Sequence, residues 1–155
     1  MIAHHEVRLA SSRDACRIAE LSRQHVEKGL TWRWTPQRVL SRIRDPASNV
    51  PVIYEGGRPA AFGIMEYLSD EAHLLLLAVD DDHRRRGLGR SLVTWLESTA
   101  PAAGIGVIYL EARAGNFGAR SFYRRLGYKE VGVEAGYYQG REAAVRLAKD
   151  LWVPV

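Results

Sequence analysis

One cysteine, Cys16, stands in 155 residues, so the chain has no internal disulfide, and a reducing, cytoplasmic setting is expected. The histidines His4, His5, His25, His73 and His83 show no metal-ligand spacing with Cys16 or with carboxylates, and no metal is expected. No apolar run is long enough to cross a bilayer, and residues 1–10 lack the apolar core of a secretory leader, so neither membrane insertion nor export is expected. Internal repeats, low-complexity tracts and linkers are also missing. Residues 1–155 read as one domain, long enough to bury a sizeable core. There is no Gly-x-x-x-x-Gly-Lys-Ser/Thr run, which excludes a P-loop.

What is present is ordinary in bulk: 46% hydrophobic and 26% charged residues. The formal charge of +4 points to an anionic ligand or partner, or only to an arginine-rich chain. Arg84, Arg85, Arg86 and Arg90 fall in one loop, which gives part of the excess a local purpose. Nucleic acid is not favoured as the partner, because no aromatic–basic reading motif accompanies these charges.

Along the chain, residues 7–10 read as a short strand, and residues 14–28 carry Ile18, Leu21 and His25 at helical spacing with Ser12 as cap. Thr35-Pro36 opens a second helix that ends near Asp45-Pro46. Residues 50–54 and 59–67 flank Glu55-Gly56-Gly57-Arg58 and read as a hairpin, and 72–79 as a third long strand. A helix follows over 91–99, with Leu88, Leu92, Trp95, Leu96 and Thr99 as its apolar face. A strand at 107–112, a helix at 117–126 closed by Gly127, and strands at 129–133 and 142–148 complete the chain. Hairpins followed by strand–helix–strand–helix indicate an α+β sandwich.

The stretch from Arg84 to Arg90 joins a strand to a helix through Gly87 and Gly89. Such a turn leaves several N–H groups without intrahelical partners, aimed at one spot. The helix dipole and the arginines add positive charge there, which makes a phosphate or pyrophosphate site. A dinucleotide fingerprint is not met: Leu92 stands where its third glycine would be, and the loop comes mid-chain, after hairpins.

Arg84-x-x-Gly87-x-Gly89 resembles the Gln/Arg-x-x-Gly-x-Gly/Ala motif of the GNAT superfamily of N-acetyltransferases. Asn116-x-x-Ala119-x-x-Phe122-Tyr123-x-x-Leu126-Gly127-Tyr128 resembles its second motif. Order, spacing and the hairpin-first layout all match, from about residue 7 to about residue 151. The resemblance implies a mixed, mostly antiparallel central sheet flanked by helices in an α/β/α sandwich, with acetyl-CoA as co-substrate. It further implies that Leu77, Ala78 and Val79 present strand-edge backbone groups to the pantetheine arm and thioester. Arg85, Arg86, Gly87, Leu88, Gly89 and Arg90 would then wrap the pyrophosphate. Arg85 and Arg90 have an alternative as solvated surface charges.

Acyl transfer to an amine sets three tasks: the amine must be neutral, the oxyanion needs donors, and the leaving thiolate benefits from a proton. Tyr123 matches the tyrosine of the second motif. A phenol of pKa near 10 stays protonated at neutral pH and can donate to a thiolate of pKa roughly 8.5. The alternative is a core tyrosine, since Ala119, Phe122, Tyr123 and Leu126 share one helix face. Glu111 is the candidate base. It alternates with Val107, Tyr109 and Arg113 on one face of its strand, where apolar surroundings are expected to raise its pKa. A structural salt bridge, for example to Arg113, is the alternative. Asn116 either orients the pantetheine amides or caps the following helix. Cys16 has no His/Asp constellation for a covalent route and reads as core filler.

Leu110-Glu111-Ala112-Arg113-x-x-Asn116 resembles especially the bacterial ribosomal-protein-alanine N-acetyltransferases, in which the matching glutamate and tyrosine serve as base and acid. Tyr137-Tyr138 resembles a tyrosine pair of that group. Glu142-Ala143-Ala144 departs from its usual Glu-Asp-Ala, and Tyr128 replaces a usual phenylalanine. Trp32-Arg33-Trp34 either borders the acceptor site or plugs the core. An α-amine of pKa about 7.7–8.0 is far more often neutral than a lysine near 10.4, whose deprotonation costs about 4 kcal/mol more. One carboxylate base therefore suits a protein N-terminus. A small amine such as an antibiotic, polyamine or amino acid, and a non-catalytic acyl-CoA- or nucleic-acid-binding module, are the competing readings.

Overall fold

The computed structural model describes residues 5–152. Its strands are β1 (Arg8–Leu9), β2 (Ser48–Asn49), β3 (Pro51–Glu55), β4 (Arg58–Tyr67), β5 (Glu71–Val79), β6 (Val107–Arg113), β7 (Lys129–Tyr138) and β8 (Glu142–Asp150). Its helices are α1 (Ala15–Leu21), α2 (Pro36–Arg44), α3 (Leu88–Thr99) and α4 (Phe117–Arg125). One sheet runs β1-β3-β4-β5-β6-β8-β7, with β2 paired to β4. Its central pair, β5–β6, is parallel and the other pairings are antiparallel, so the expected mixed α+β sheet is the one found.

Helices cover both faces. On one, Ile18 and Leu21 of α1 and Val39 of α2 pack with Val52, Phe62, Ile64, Leu76 and Ala78. On the other, Val93 and Leu96 of α3 and Tyr123 of α4 pack with Leu74, Ile108, Leu110 and Leu147. The local signals act as expected at most boundaries. Gly56 and Gly57 take φ of 62° and 81° in the two-residue hairpin turn. Thr35 caps α2, its hydroxyl accepting from Arg38 N at 3.4 Å, with Pro36 in the first turn.

Two elements differ from the sequence reading. The helix expected over 14–28 is broken into a 3-10 turn at Ser12–Asp14, α1, and a π-helical turn at Ser22–Val26. Ser11 rather than Ser12 stands at its cap, where the Asp14 carboxylate accepts from Ser11 N. The widened turn carries Glu27 inward, where its carboxylate accepts from Ser22 Oγ and from the N–H groups of Arg33 and Trp34. Cys16, expected as core filler, is exposed, because Ala15, Ile18 and Ala19 take the inward face of α1. The strand expected over 129–133 runs on to Tyr138, past Gly132 and Gly136, through two register shifts.

A bulge at the centre of the sheet matters most for the site. Ile64 pairs with Leu76 and Met65 with Leu74, so Leu75 is an extra residue in β5. Ala72 and Leu74 consequently face the α3–α4 layer, whereas Leu76 and Ala78 face the α1–α2 layer. Pairing of β5 with β6 runs from Glu71–Val107 to Leu74–Leu110 and stops at the bulge. Beyond it the two parallel strands part.

Candidate functional site

Where β5 and β6 separate, a cleft of ≈ 700 Å³ opens, lined by Leu74, Leu75, Leu76 and Leu77 of β5 and by Leu110, Glu111, Ala112 and Arg113 of β6. No ladder partner faces residues 75–79 of β5 on this side. The edge at Leu77, Ala78 and Val79 is thus unpaired on this side among the described residues, and of the three Leu77 lines the cleft.

At the far end of β5 the chain turns through Arg84–Arg90 into α3. Gly87 takes φ 81° as the helix cap and contributes no side-chain cap, while Arg85 also has positive φ, 64°. Among the described residues no acceptor meets the N–H groups of Leu88, Gly89 and Arg90, the orphan donors of a helix start. A Cβ on Gly89 would lie 3.2 Å from Phe122 Cζ, so the small residue lets α3 start close against α4. Arg84 pairs with Asp81 at 3.1 Å. Arg85, Arg86 and Arg90 are exposed and form no ion pair with a described residue. Free amides, a helix dipole and three open guanidinium groups suit a diphosphate. The turn is anchored from beneath: Asp80, at the end of β5, binds Arg17 of α1 at 3.1 Å.

Tyr123 is buried in α4, yet it borders the cleft, and its hydroxyl makes no hydrogen bond to a described residue. Burial pushes its pKa above the ordinary phenol value, so it stays protonated. Asn116 caps α4, its side-chain oxygen accepting from Ala119 N at 3.1 Å, and it borders the same cleft. Both roles considered for it are thus compatible with its position.

Glu111 lies on the opposite wall with only 6% of its side chain exposed. Oε1 accepts from His73 Nε2 and from the Tyr137 hydroxyl at 3.1 Å, and Oε2 from Arg146 Nε at 3.0 Å. Burial alone pushes this carboxyl up, as expected from the sequence, but the hydrogen bonds from His73, Arg146 and Tyr137 outweigh it and hold the pKa below the ordinary glutamate value. The expected upward shift is therefore corrected to a downward one. The ion-pair partner is also not Arg113. That side chain reaches the π-helical turn, donating to Val26 O at 2.9 Å, while Arg146 stands opposite Glu111 in the β6–β8 register.

The third wall joins two loops. Gln139, at φ 55°, donates to Thr31 O and accepts from Thr31 N, both at 2.9 Å, and Arg141 donates to Gly29 O at 3.0 Å. The β7–β8 turn is thereby strapped to the α1–α2 loop across the cleft. Tyr138 faces the cleft from this turn, and burial raises its pKa. Trp34 is buried in the α1–α2 core and also borders the cleft, with Arg38 stacked 3.9 Å from its ring centre. Trp32 is held by a bond from Nε1 to Ala19 O, and Arg33 lines the cleft. Sequence reasoning left His73 unassigned and passed over Arg146, Glu27 and Gln139. The Tyr137-Tyr138 pair was the one local signal for this wall; the others meet only through register and loop contacts.

A model of the acetyltransferase (GNAT) family matches residues 11–128. The [ribosomal protein bS18]-alanine N-acetyltransferase of Escherichia coli is 39% identical over 97 residues, 61% of this chain and 66% of that protein, so the match spans just under two thirds of the relative's length. The crystal structure of the ribosomal-protein-S18-alanine N-acetyltransferase from Escherichia coli superposes with a TM-score of 0.82 at 27% identity, covering 98% of this chain and 97% of that one. The paia N-acetyltransferase from Thermoplasma acidophilum, solved in complex with coenzyme A, shares the fold (TM-score 0.80, 16% identity, 96% of this chain and 99% of that one). The family model spans more than half of the sequence, and it includes both the arginine–glycine turn and the Asn116–Tyr128 motif, so this chain belongs to the acetyltransferase (GNAT) family.

Proposed function

We propose that the chain is an N-acetyltransferase that moves the acetyl group of acetyl-CoA to the α-amine of a protein N-terminus, by direct attack with both substrates bound. The observation that carries this reading is the parting of β5 and β6 at Leu75. It leaves an open strand edge between a turn of free amides and the Glu111–Tyr123 pair. Acetyl-CoA supplies the acetyl group as a reactive thioester. The amides and arginines of residues 85–90 hold its diphosphate, and the edge of 75–79 orients the arm that leads to the cleft.

Each side chain then has one task. Glu111, held ionised, accepts a hydrogen bond from an N–H of the incoming neutral amine and takes the proton that the nitrogen sheds once it has bonded to the acetyl carbon, passing it on to water. An amine already neutral in about a tenth to a third of molecules near pH 7 to 7.5 needs no stronger base. Tyr123, protonated and without a hydrogen-bond partner among the described residues, gives its proton to the departing thiolate and is reprotonated from water. Trp34 and Tyr138 shape the acceptor side, and the exposed cation Arg33 disfavours polycationic amines there. The names of the E. coli relatives support an alanine α-amine as the acceptor.

The test is mass spectrometry after incubation with acetyl-CoA and a peptide carrying both a free α-amine and an internal lysine. Acetyl on the α-nitrogen alone, with one thiol released per transfer, is the expected result. Faster turnover of a polyamine or aminoglycoside would move the assignment to small amines, and silence across all acceptors would remove the activity.

A further inference from the structure

We infer that His73 and Arg146 are positioning residues that hold the Glu111 carboxylate and leave it a single open acceptor position, on Oε2. The inference rests on the transferase reading for its kinetic consequence, and on geometry alone for the clamp itself.

A carboxylate offers about four lone-pair positions. At Glu111, His73 and Tyr137 occupy both positions on Oε1, and Arg146 occupies one on Oε2. One remains. Oε1 of an ionised carboxylate only accepts, so His73 Nε2 carries the hydrogen and donates it. His73 comes from β5, where it lies across from Tyr109 of β6, and Arg146 from β8, where it lies opposite Glu111 itself. The carboxylate is therefore held from both neighbouring strands. His73 does not line the cleft and Glu111 does, so the histidine acts through the carboxylate rather than on substrate.

Other titratable or charged groups around Glu111 are Tyr109 and Arg113 on its own strand, Glu142 on β8, Glu134, Tyr137 and Tyr138 on β7, Tyr123 on α4, and His25, Glu27, Lys28, Arg33 and Arg38 across the cleft. Arg113 donates to Val26 O and pairs with Glu142 at 3.9 Å, and Glu27 accepts from Ser22 and two backbone amides. Arg113 makes no hydrogen bond to the Glu111 carboxylate. Arg146 has 53% of its side chain exposed, so water shares its charge, and His73, at 25%, is the better shielded donor. His73 should accordingly be the stronger of the two holds.

The test compares His73→Leu, which removes the donor at similar volume, with His73→Gln, which restores an N–H donor. Carbon NMR of labelled glutamate carboxyls gives the Glu111 titration without any substrate, and steady-state kinetics with acetyl-CoA and a peptide give kcat. His73→Leu should raise the Glu111 titration midpoint by about one pH unit and, because the carboxylate loses its fixed orientation while staying ionised at neutral pH, lower kcat about tenfold, with acetyl-CoA affinity within about twofold of the parent. His73→Gln should recover most of both losses. An unmoved midpoint, or a glutamine variant no better than leucine, would overturn the clamp even if kcat fell. A parent protein silent with every amine would remove the transferase reading, and the carboxyl titration would still decide the clamp.

Discussion

Tyr123 holds a phenol with no hydrogen-bond partner among the described residues at the edge of a cleft, kept protonated by burial. Its removal as Tyr123→Phe should lower kcat at least about tenfold, within the usual range for a lost general acid, and leave the dissociation constant of coenzyme A near the parent value by calorimetry. Equal rates would exclude it from the reaction. Glu111 carries a second consequence. Its folded-state pKa lies below that of an unfolded glutamate, so the clamp stabilises the fold above the unfolded value, about pH 4.3. That contribution is lost as the pH falls through the lower, folded pKa. Glu111→Gln should therefore melt below the parent at pH 7, and the gap should close on acidification below about pH 4. A gap independent of pH would contradict the ionised clamp. Tyr123 was legible in the sequence because its motif is local. The charge state of Glu111 was not, because His73, Tyr137 and Arg146 lie 26 to 38 residues away and meet it only through strand register.

At the level of elements, the arginine–glycine turn and the bulge shape the cleft and its approach. Gly87 has φ 81°, and a methyl group added there would meet nothing within 4 Å, so Gly87→Ala should cost only the left-handed backbone penalty, about 1 kcal/mol. The expected reading is a Tm lower by roughly 2–4 °C together with weaker coenzyme A binding, since the amides lose their alignment. The strap formed by Gln139 is separable from it. Gln139→Ala should raise KM for the peptide while the KM for acetyl-CoA stays put, and a change confined to acetyl-CoA would contradict its place on the acceptor side. Hairpin, caps and the glycine turn could all be read from sequence, because each depends on a few adjacent residues. The π-helical turn and the bulge at Leu75 could not. The first depends on a buried Glu27 finding donors seven residues on, and the second on how β4 pairs across the sheet.

For the molecule as a whole, two helical layers enclose a sheet whose centre is incomplete, and the cleft opens where pairing stops. No described helix is long and apolar enough to cross a membrane. Part of the positive excess lies in one turn, where Arg85, Arg86 and Arg90 are exposed and without ion pairs to described residues. Replacing Arg85 and Arg86 together by alanine should weaken coenzyme A binding about tenfold at low salt and less at high salt, because exposed charges are screened within about 10 Å at 0.1 M. The order of hairpin, central strand, turn and helix was visible in the sequence, and so was the layered sandwich. The way the layers hold the cleft open required the three-dimensional pairing.

The most direct test of the whole account is a crystal structure with coenzyme A bound. The account requires the diphosphate on the N–H groups of residues 85–90, the pantetheine arm along the open edge of 75–79, and the sulfur within reach of the Tyr123 hydroxyl with Glu111 across the cleft. A diphosphate seated elsewhere, or a sulfur remote from both side chains, would contradict it.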